Sequence, residues 1–299
     1  MLNARSSLTA HTNRLLQQSL NDASNVLHKS HITCIHPEVY LKYSSVNVFM
    51  GKQGTGKTFT LMKELVKLSL IDCEQAKRCE PSRERIDVHL IVMVTRDGRQ
   101  DDTLESVKDN ITIPCVYVSY DNVVEYLHEL VFYKLIYNKI ISEHLEDSID
   151  NEQRDEVLEA LHIDSFSRQS LQEVIVFDDA AYSAILSKPG SEVTSGAGRR
   201  APSSILSMIH EARHYKFIFC FCIQGVKSIP LPIKEQMTTL FLFPGFIRQK
   251  LFTIYNQSGI TSLEYDEFRD LYHNLQPRDY LLVDCQRGTV KVVNGDLRK

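Results

Sequence analysis

Residues 46–70 read VNVFM-GKQGTGKT-FTLMKELVKLSL. The stretch has three parts: a short β-rich run (46–50), a glycine-rich loop (51–58), and apolar residues at helical spacing (58–70). The loop has the form G-x-x-x-x-G-K-[ST]. Its glycines permit a tight turn after a strand. The turn aims backbone N–H groups inward, and the following helix offers the positive end of its dipole to an anion. Strand, loop and helix in that order are the context this phosphate-binding pattern requires. We therefore assign Gly51, Gln53, Gly54, Thr55, Gly56, Lys57 and Thr58 to nucleotide binding. Lys57 is expected to reach the β- and γ-phosphates, and Thr58 to supply a hydroxyl ligand to Mg²⁺. Lys52 reads as a solvated loop lysine.

The remaining apolar runs extend the same architecture. They are HLIVMVT (89–95), PCVYVS (114–119), EVIVFDD (173–179), KFIFCFCI (216–223) and TTLFLF (238–243). Short continuous apolar strands separated by helical patterns predict a parallel sheet covered on both faces, an α/β fold. A helix is expected over 121–147 inside an insertion of about 120–172, with Asp121 as a possible N-cap. Its apolar residues wrap widely round it, which fits buried core or a subunit contact. A second helix is expected over SSILSMIHEARH (203–214), capped by Ser203 or Ser204. Residues 187–204, rich in glycine, serine and proline with Arg199 and Arg200, read as a loop. At the end, YLLVDC and TVKVVN flank QRG, which predicts a β-hairpin turning at Gly288. The expected organisation is a helical arm over 1–44, a core over 45–250, and a small C-terminal extension over 251–299.

Two strand ends carry further chemistry. VIVFDDA (174–180) is an apolar strand ending in paired acids. Beside a P-loop, Asp178 is suited to hold Mg²⁺ and Asp179 to orient or deprotonate an attacking water. Solvent-facing acids at a strand end are the plain alternative. Phe217–Ile223 is apolar throughout and ends at Gln224, a residue able to hydrogen-bond a γ-phosphate or lytic water. The alternative is a polar strand end satisfied by a loop. Arg213 precedes this strand. Two roles fit it: a cation at a helix C-terminus, or an arginine reaching into a neighbouring subunit's site.

Composition narrows the class. The 299 residues carry a formal net charge of −4, unlike a simple nucleic-acid binder. Charge is nevertheless uneven. Residues 187–250 hold nine cations against three anions, whereas 143–173 hold ten acids and two arginines. The seven cysteines include no C-x-x-C pair, which favours free thiols in a reducing compartment over disulfides or zinc. No signal peptide is apparent, and no apolar run approaches the roughly 20 residues of a membrane helix. A soluble intracellular protein is expected. No N-K-x-D for guanine occurs.

The stretches GKQGTGKT, VIVFDDA, EARHYKFIFCFCIQGVKSIPLPIK and, more weakly, YLLVDCQRGTVKVV resemble the poxvirus-type DNA-packaging ATPases of large DNA viruses, a branch of the FtsK–HerA superfamily. The likeness spans about 46–243 as scattered motifs. It implies a RecA-like core, ATP and Mg²⁺ as cofactors, and a homo-oligomeric ring, hexamer or pentamer. It further implies translocation of double-stranded DNA into a preformed capsid, with capsid or vertex proteins as partners. The setting would be the host cytoplasm or virus factory, or the virion. By motif match it carries over Lys57, Thr58, Asp178, Asp179 and Gln224 as ATPase residues, with Arg213 as a motif position. A P-loop small-molecule phosphotransferase and a non-catalytic nucleotide-binding subunit are the alternatives.

Overall fold

The computed structural model describes residues 39–42, 44–70, 86–98, 111–166, 170–178, 204–225 and 231–295. Almost all of the 1–44 arm, the 187–202 loop with Arg199 and Arg200, and Asp179 lie outside the described residues.

Every expected strand forms. In chain order they are β1 (Val46–Met50), β2 (Ile86–Thr95), β3 (Cys115–Ser119), β4 (Ser170–Phe177), β5 (Phe217–Ile223), β6 (Thr239–Leu242), β7 (Tyr280–Asp284) and β8 (Thr289–Val293). They make one eight-stranded sheet in the order β3-β2-β4-β5-β1-β6-β7-β8. The strands from β3 to β6 in that order run parallel, and β7 runs antiparallel to both its neighbours, β6 and β8. The closing hairpin forms as expected, with Gly288 at φ +66 in its turn. Through the β6–β7 pairing it belongs to the same sheet as the P-loop strand.

The strands are apolar because helices cover both faces. On one face α1 (Lys57–Leu70) lays Leu61, Met62 and Leu65 over Phe49, Ile91, Val174 and Ile218. The other face is covered by α2 (Val123–Glu143), α4 (Ile205–His210), α7 (Arg248–Gln257) and α8 (Tyr265–His273). All seven residues of β5 are buried, as its central position requires. Ring stacking runs across the sheet: Phe177 on Phe221 at 5.0 Å and Phe49 on Phe241 at 4.1 Å between centroids.

The insertion contains α2 and then α3 (Asn151–Ala160), the latter capped by the Asp150 side chain on the Gln153 N–H. The α2 helix is shorter than the expected 121–147. Asn122, not Asp121, takes its N-cap position, without a side-chain capping bond, and the helix stops where His144 turns left-handed at φ +56. Its inner face includes Leu127, Leu130, Val131, Lys134 and Tyr137, while Phe132 and Leu135 are exposed. Ser204 caps α4 in a reciprocal capping box with Ser207. The expected 203–214 helix breaks at Glu211, after which α5 (Ala212–Tyr215) makes one more turn. A short α6 (Leu231–Gln236) precedes β6. Among the described residues, Cys115, Cys220, Cys222 and Cys285 form no disulfide, and no helix is long and apolar enough to cross a membrane.

Candidate nucleotide site

The site is built at the edge of the sheet where the parallel strands end. The chain leaves β1 at Met50, and the Gly51 N–H donates to the Ile223 carbonyl at 3.1 Å, tying the loop to the end of β5. A side chain at Gly51 would place its Cβ 2.7 Å from Phe243 Cβ, so only glycine fits. Gly54 and Gly56 stand at φ +77 and +98, in the left-handed region that favours glycine. These conformations curl the loop over the end of α1.

The Lys52 carbonyl anchors the curl. It accepts from the Thr55 hydroxyl at 2.8 Å and from the Lys57 ammonium at 2.9 Å. Lys57 is thus folded back across its own loop, next to the volume that phosphates would fill. The Lys52 side chain is exposed, as a solvated loop lysine should be. Its backbone oxygen holds Thr55 and Lys57, and no side-chain pattern announces it. The first turn of α1 contains no acid. Its N–H groups and dipole therefore face the loop without internal competition for an anion.

Asp178 follows the last residue of β4. Its Oδ1 lies 3.4 Å from the Thr58 hydroxyl, which donates to it. Two oxygen donors of this kind suit a hard cation such as Mg²⁺, which is held by few protein ligands and completes its shell with phosphate and water. The site residues therefore fit Mg²⁺ in donor type. Beneath them Cys222 is buried, and its thiol is pushed well above its usual range by burial and by the charge of Asp178. It stays a neutral thiol and adds no charge to the cation site.

Gln224 is exposed at the tip of β5. That strand pairs with β1 on one side and with β4 on the other. The glutamine thus emerges between the P-loop and Asp178, about one strand spacing (~5 Å) from each. The structure brings Gly51, Gly54, Thr55, Gly56, Lys57, Thr58, Asp178 and Gln224 to one edge, and Gln53 lies within the same loop. It does not bring Arg213 there. Arg213 is exposed on α5, ahead of the seven-residue β5, so it stands at the opposite edge, about 23 Å away along the strand.

One further residue at this edge has no motif to mark it. The Tyr120 hydroxyl donates to the Asp178 backbone carbonyl at 2.7 Å. Tyr120 directly follows β3 and faces an acid 58 residues away, so only its place at a parallel-strand end could draw attention to it. Arg96, exposed just after β2, shares the same edge.

No protein-family model matches the chain, and no curated protein matches it. Among solved structures, it is similar to the genome packaging NTPase B204 of Sulfolobus turreted icosahedral virus 2 in complex with ATP-gammaS. The identity is 15%, over 85% of this chain and 98% of that one, with a TM-score of 0.44. It is also similar to B204, the DNA-packaging ATPase from Sulfolobus turreted icosahedral virus, at 11% identity over 88% of this chain and 100% of that one, TM-score 0.45. A third similar structure is the cytoplasmic domain of the Thermomonospora curvata type VII secretion ATPase EccC, at 9% identity over 85% of this chain and 25% of that one, TM-score 0.46.

Proposed function

We propose that the protein is a Mg²⁺-dependent ATPase that works as a ring-shaped motor on double-stranded DNA, packaging viral DNA into a capsid. The observation that carries the ATPase reading is the strand order. The strand ending in Gln224 lies between the P-loop strand and the strand ending in Asp178, and Thr58 and Asp178 face each other at 3.4 Å. The DNA and capsid parts rest on the motif resemblance.

Each residue then has a role. The loop N–H groups and Lys57 bind the phosphate chain and neutralise charge as it shifts toward the leaving oxygen. Thr58 and Asp178 would hold Mg²⁺, which supplies further charge neutralisation when bound. Water attacks the γ-phosphorus, the bond to the bridging oxygen breaks, and ADP leaves. Asp179, one residue beyond Asp178, takes the proton from that water. Gln224 hydrogen-bonds the γ-phosphate or the water and senses its loss. Arg213, at the far edge, serves the site of a neighbouring copy. In such a ring, basic loops containing Arg199 and Arg200 line the pore and meet DNA phosphates while the outer surface stays acidic. The arm over 1–44, the core over 45–250 and the small C-terminal extension over 251–299 are the units we assign to this motor.

The test is phosphate release with and without double-stranded DNA at low salt, alongside a mass measurement in nucleotide. DNA-stimulated turnover by an oligomer is expected. No stimulation together with a strict monomer refutes the motor. Turnover unchanged in Asp179→Asn refutes its catalytic role and favours a non-catalytic subunit. DNA stimulation that survives Arg199→Ala/Arg200→Ala refutes the pore contact.

A further inference from the structure

The insertion holds a charged cluster that the hydrolytic site does not use. Lys134 projects from the inner face of α2 into the sheet, with only 4% of its side chain exposed. Its ammonium is ion-paired with Glu173, whose side chain is fully buried on β4. The same ammonium donates to the Tyr215 carbonyl at 2.6 Å and lies 4.9 Å from the centre of the Phe217 ring. His89 Nε2 is 3.4 Å from the other Glu173 oxygen. Tyr215 is the last residue of α5, two residues after Arg213, and its hydroxyl donates to Glu211 at 2.8 Å. After it, the chain turns left-handed at Lys216, φ +57, and becomes β5. One lysine thus joins the insertion helix, the middle of β4 opposite the first residue of β5, and the turn that carries Arg213.

The start of the insertion is tied as well. Tyr120, three residues ahead of α2, donates to Asp178 at the far end of β4. From Val123 to Lys134 the helix rises about 17 Å, and from Glu173 to Asp178 the strand advances about 17 Å. Helix and strand therefore run side by side in opposite directions, joined by polar contacts at both ends. An apolar contact tolerates sliding. A dry ammonium with a carboxylate and a carbonyl as acceptors does not, because any shift leaves a buried charge unsatisfied.

We propose that Lys134 is a positioning residue for Arg213, and that α2 is the strut that holds the Arg213 turn at a fixed distance from the strand ending at Asp178. This rests on the reading that Arg213 serves a neighbouring copy. The strut keeps the arginine given to the next subunit in register with the acid of its own site.

The experiment is a mixing assay on the full-length protein. The acceptor is Lys134→Met/Glu173→Leu, which removes both buried charges. The donor is Asp179→Asn in excess, whose own hydrolysis rate is subtracted and whose Arg213 turn is intact. The acceptor alone is expected to keep the wild-type nucleotide affinity and unfolding midpoint but to lose about 100-fold in kcat, the cost of displacing a catalytic group by about 1 Å. Donor subunits should restore turnover at acceptor sites, because each then faces an intact Arg213. Arg213→Ala is run in parallel. If Arg213→Ala is rescued and the acceptor is not, Lys134 acts elsewhere and the proposal fails while the arginine's role stands. If Arg213→Ala has wild-type turnover, the neighbour-site reading itself fails. Wild-type kcat in the acceptor also overturns the proposal. Should the acceptor not fold, Lys134→Arg takes its place. It keeps the charge but displaces the turn, and the same loss and rescue are expected.

Discussion

The Lys134–Glu173 pair allows a prediction whose size follows from burial. Both groups are dry, with side-chain exposures of 4% and 0%. Lys134→Met keeps the length of the stem against Phe217, so it opens no large cavity, but it leaves Glu173 a buried carboxylate with only the His89 imidazole beside it, 3.4 Å away. Breaking such a pair from one side costs about 3–5 kcal/mol. Glu173→Leu strands the ammonium, with burial already pulling the Lys134 pKa down and Glu173 opposing that pull; a loss in the same range is expected. The double variant removes both charges and leaves apolar groups of similar volume. It should lie within about 1 kcal/mol of wild type or above it. The cycle therefore closes on a coupling of about 5 kcal/mol or more. In a chain this long, about 2 °C accompanies each kcal/mol, so each single variant should melt about 6–10 °C lower. Urea unfolding at neutral pH, with unchanged m-values, is the assay. A Lys134→Met loss below about 1 kcal/mol is what a solvent-exposed pair would give, and it would refute the claim that the cluster is dry.

Three further outcomes are expected. Gln224→Ala should lower kcat by about 100-fold with little change in nucleotide affinity, because its contact is to the reacting phosphate or water; a purely structural strand end would leave kcat intact. Gly51→Ala puts a methyl 2.7 Å from Phe243 Cβ, so it should destabilise the fold by about 1–3 kcal/mol and weaken nucleotide binding, read by melting and by titration with an ATP analogue. Burial, only partly opposed by Glu173, holds the His89 pKa below the ordinary 6.5. The unfolded chain then binds a proton that the folded chain does not. Stability should be fully present above 6.5 and fall as the pH drops beneath it, by up to about 1.4 kcal/mol per pH unit, and His89→Asn should flatten that slope in urea midpoints measured across this range.

What is legible in the sequence follows from how local the physics is. The phosphate loop is readable because Gly54 and Gly56 must adopt backbone conformations that other residues resist, and the demand is met within a single short loop. The strands are readable because burial on both faces leaves continuous apolar runs, and Gln224 because it ends such a run abruptly. The cap of α2 is ambiguous in sequence because Asp121 and Asn122 are both good cap residues and neighbours. Asn122 takes the position, yet its side chain makes no capping bond, so cap propensity does not decide between them. Arg213 is half legible. A residue before a parallel strand and a residue after it must stand at opposite edges of the sheet, so the HEARH…FIFCFCIQ pattern already separates the arginine from the glutamine by the length of β5. Lys134 and Glu173 carry no motif, yet both break a pattern. Glu173 shares an inward face of β4 with Leu171, Ile175 and Phe177, and Lys134 shares an inner face of α2 with Leu127, Leu130, Val131 and Tyr137. Each alone resembles a solvated charge. Only the fold, by closing 39 residues of separation, makes them a pair. Polar residues at inward positions of apolar elements are thus where long-range polar contacts leave a trace in sequence. Glu173 and Lys134 are two such residues, one on the sheet and one on the helix that covers it, and together they hold the edge opposite Gln224.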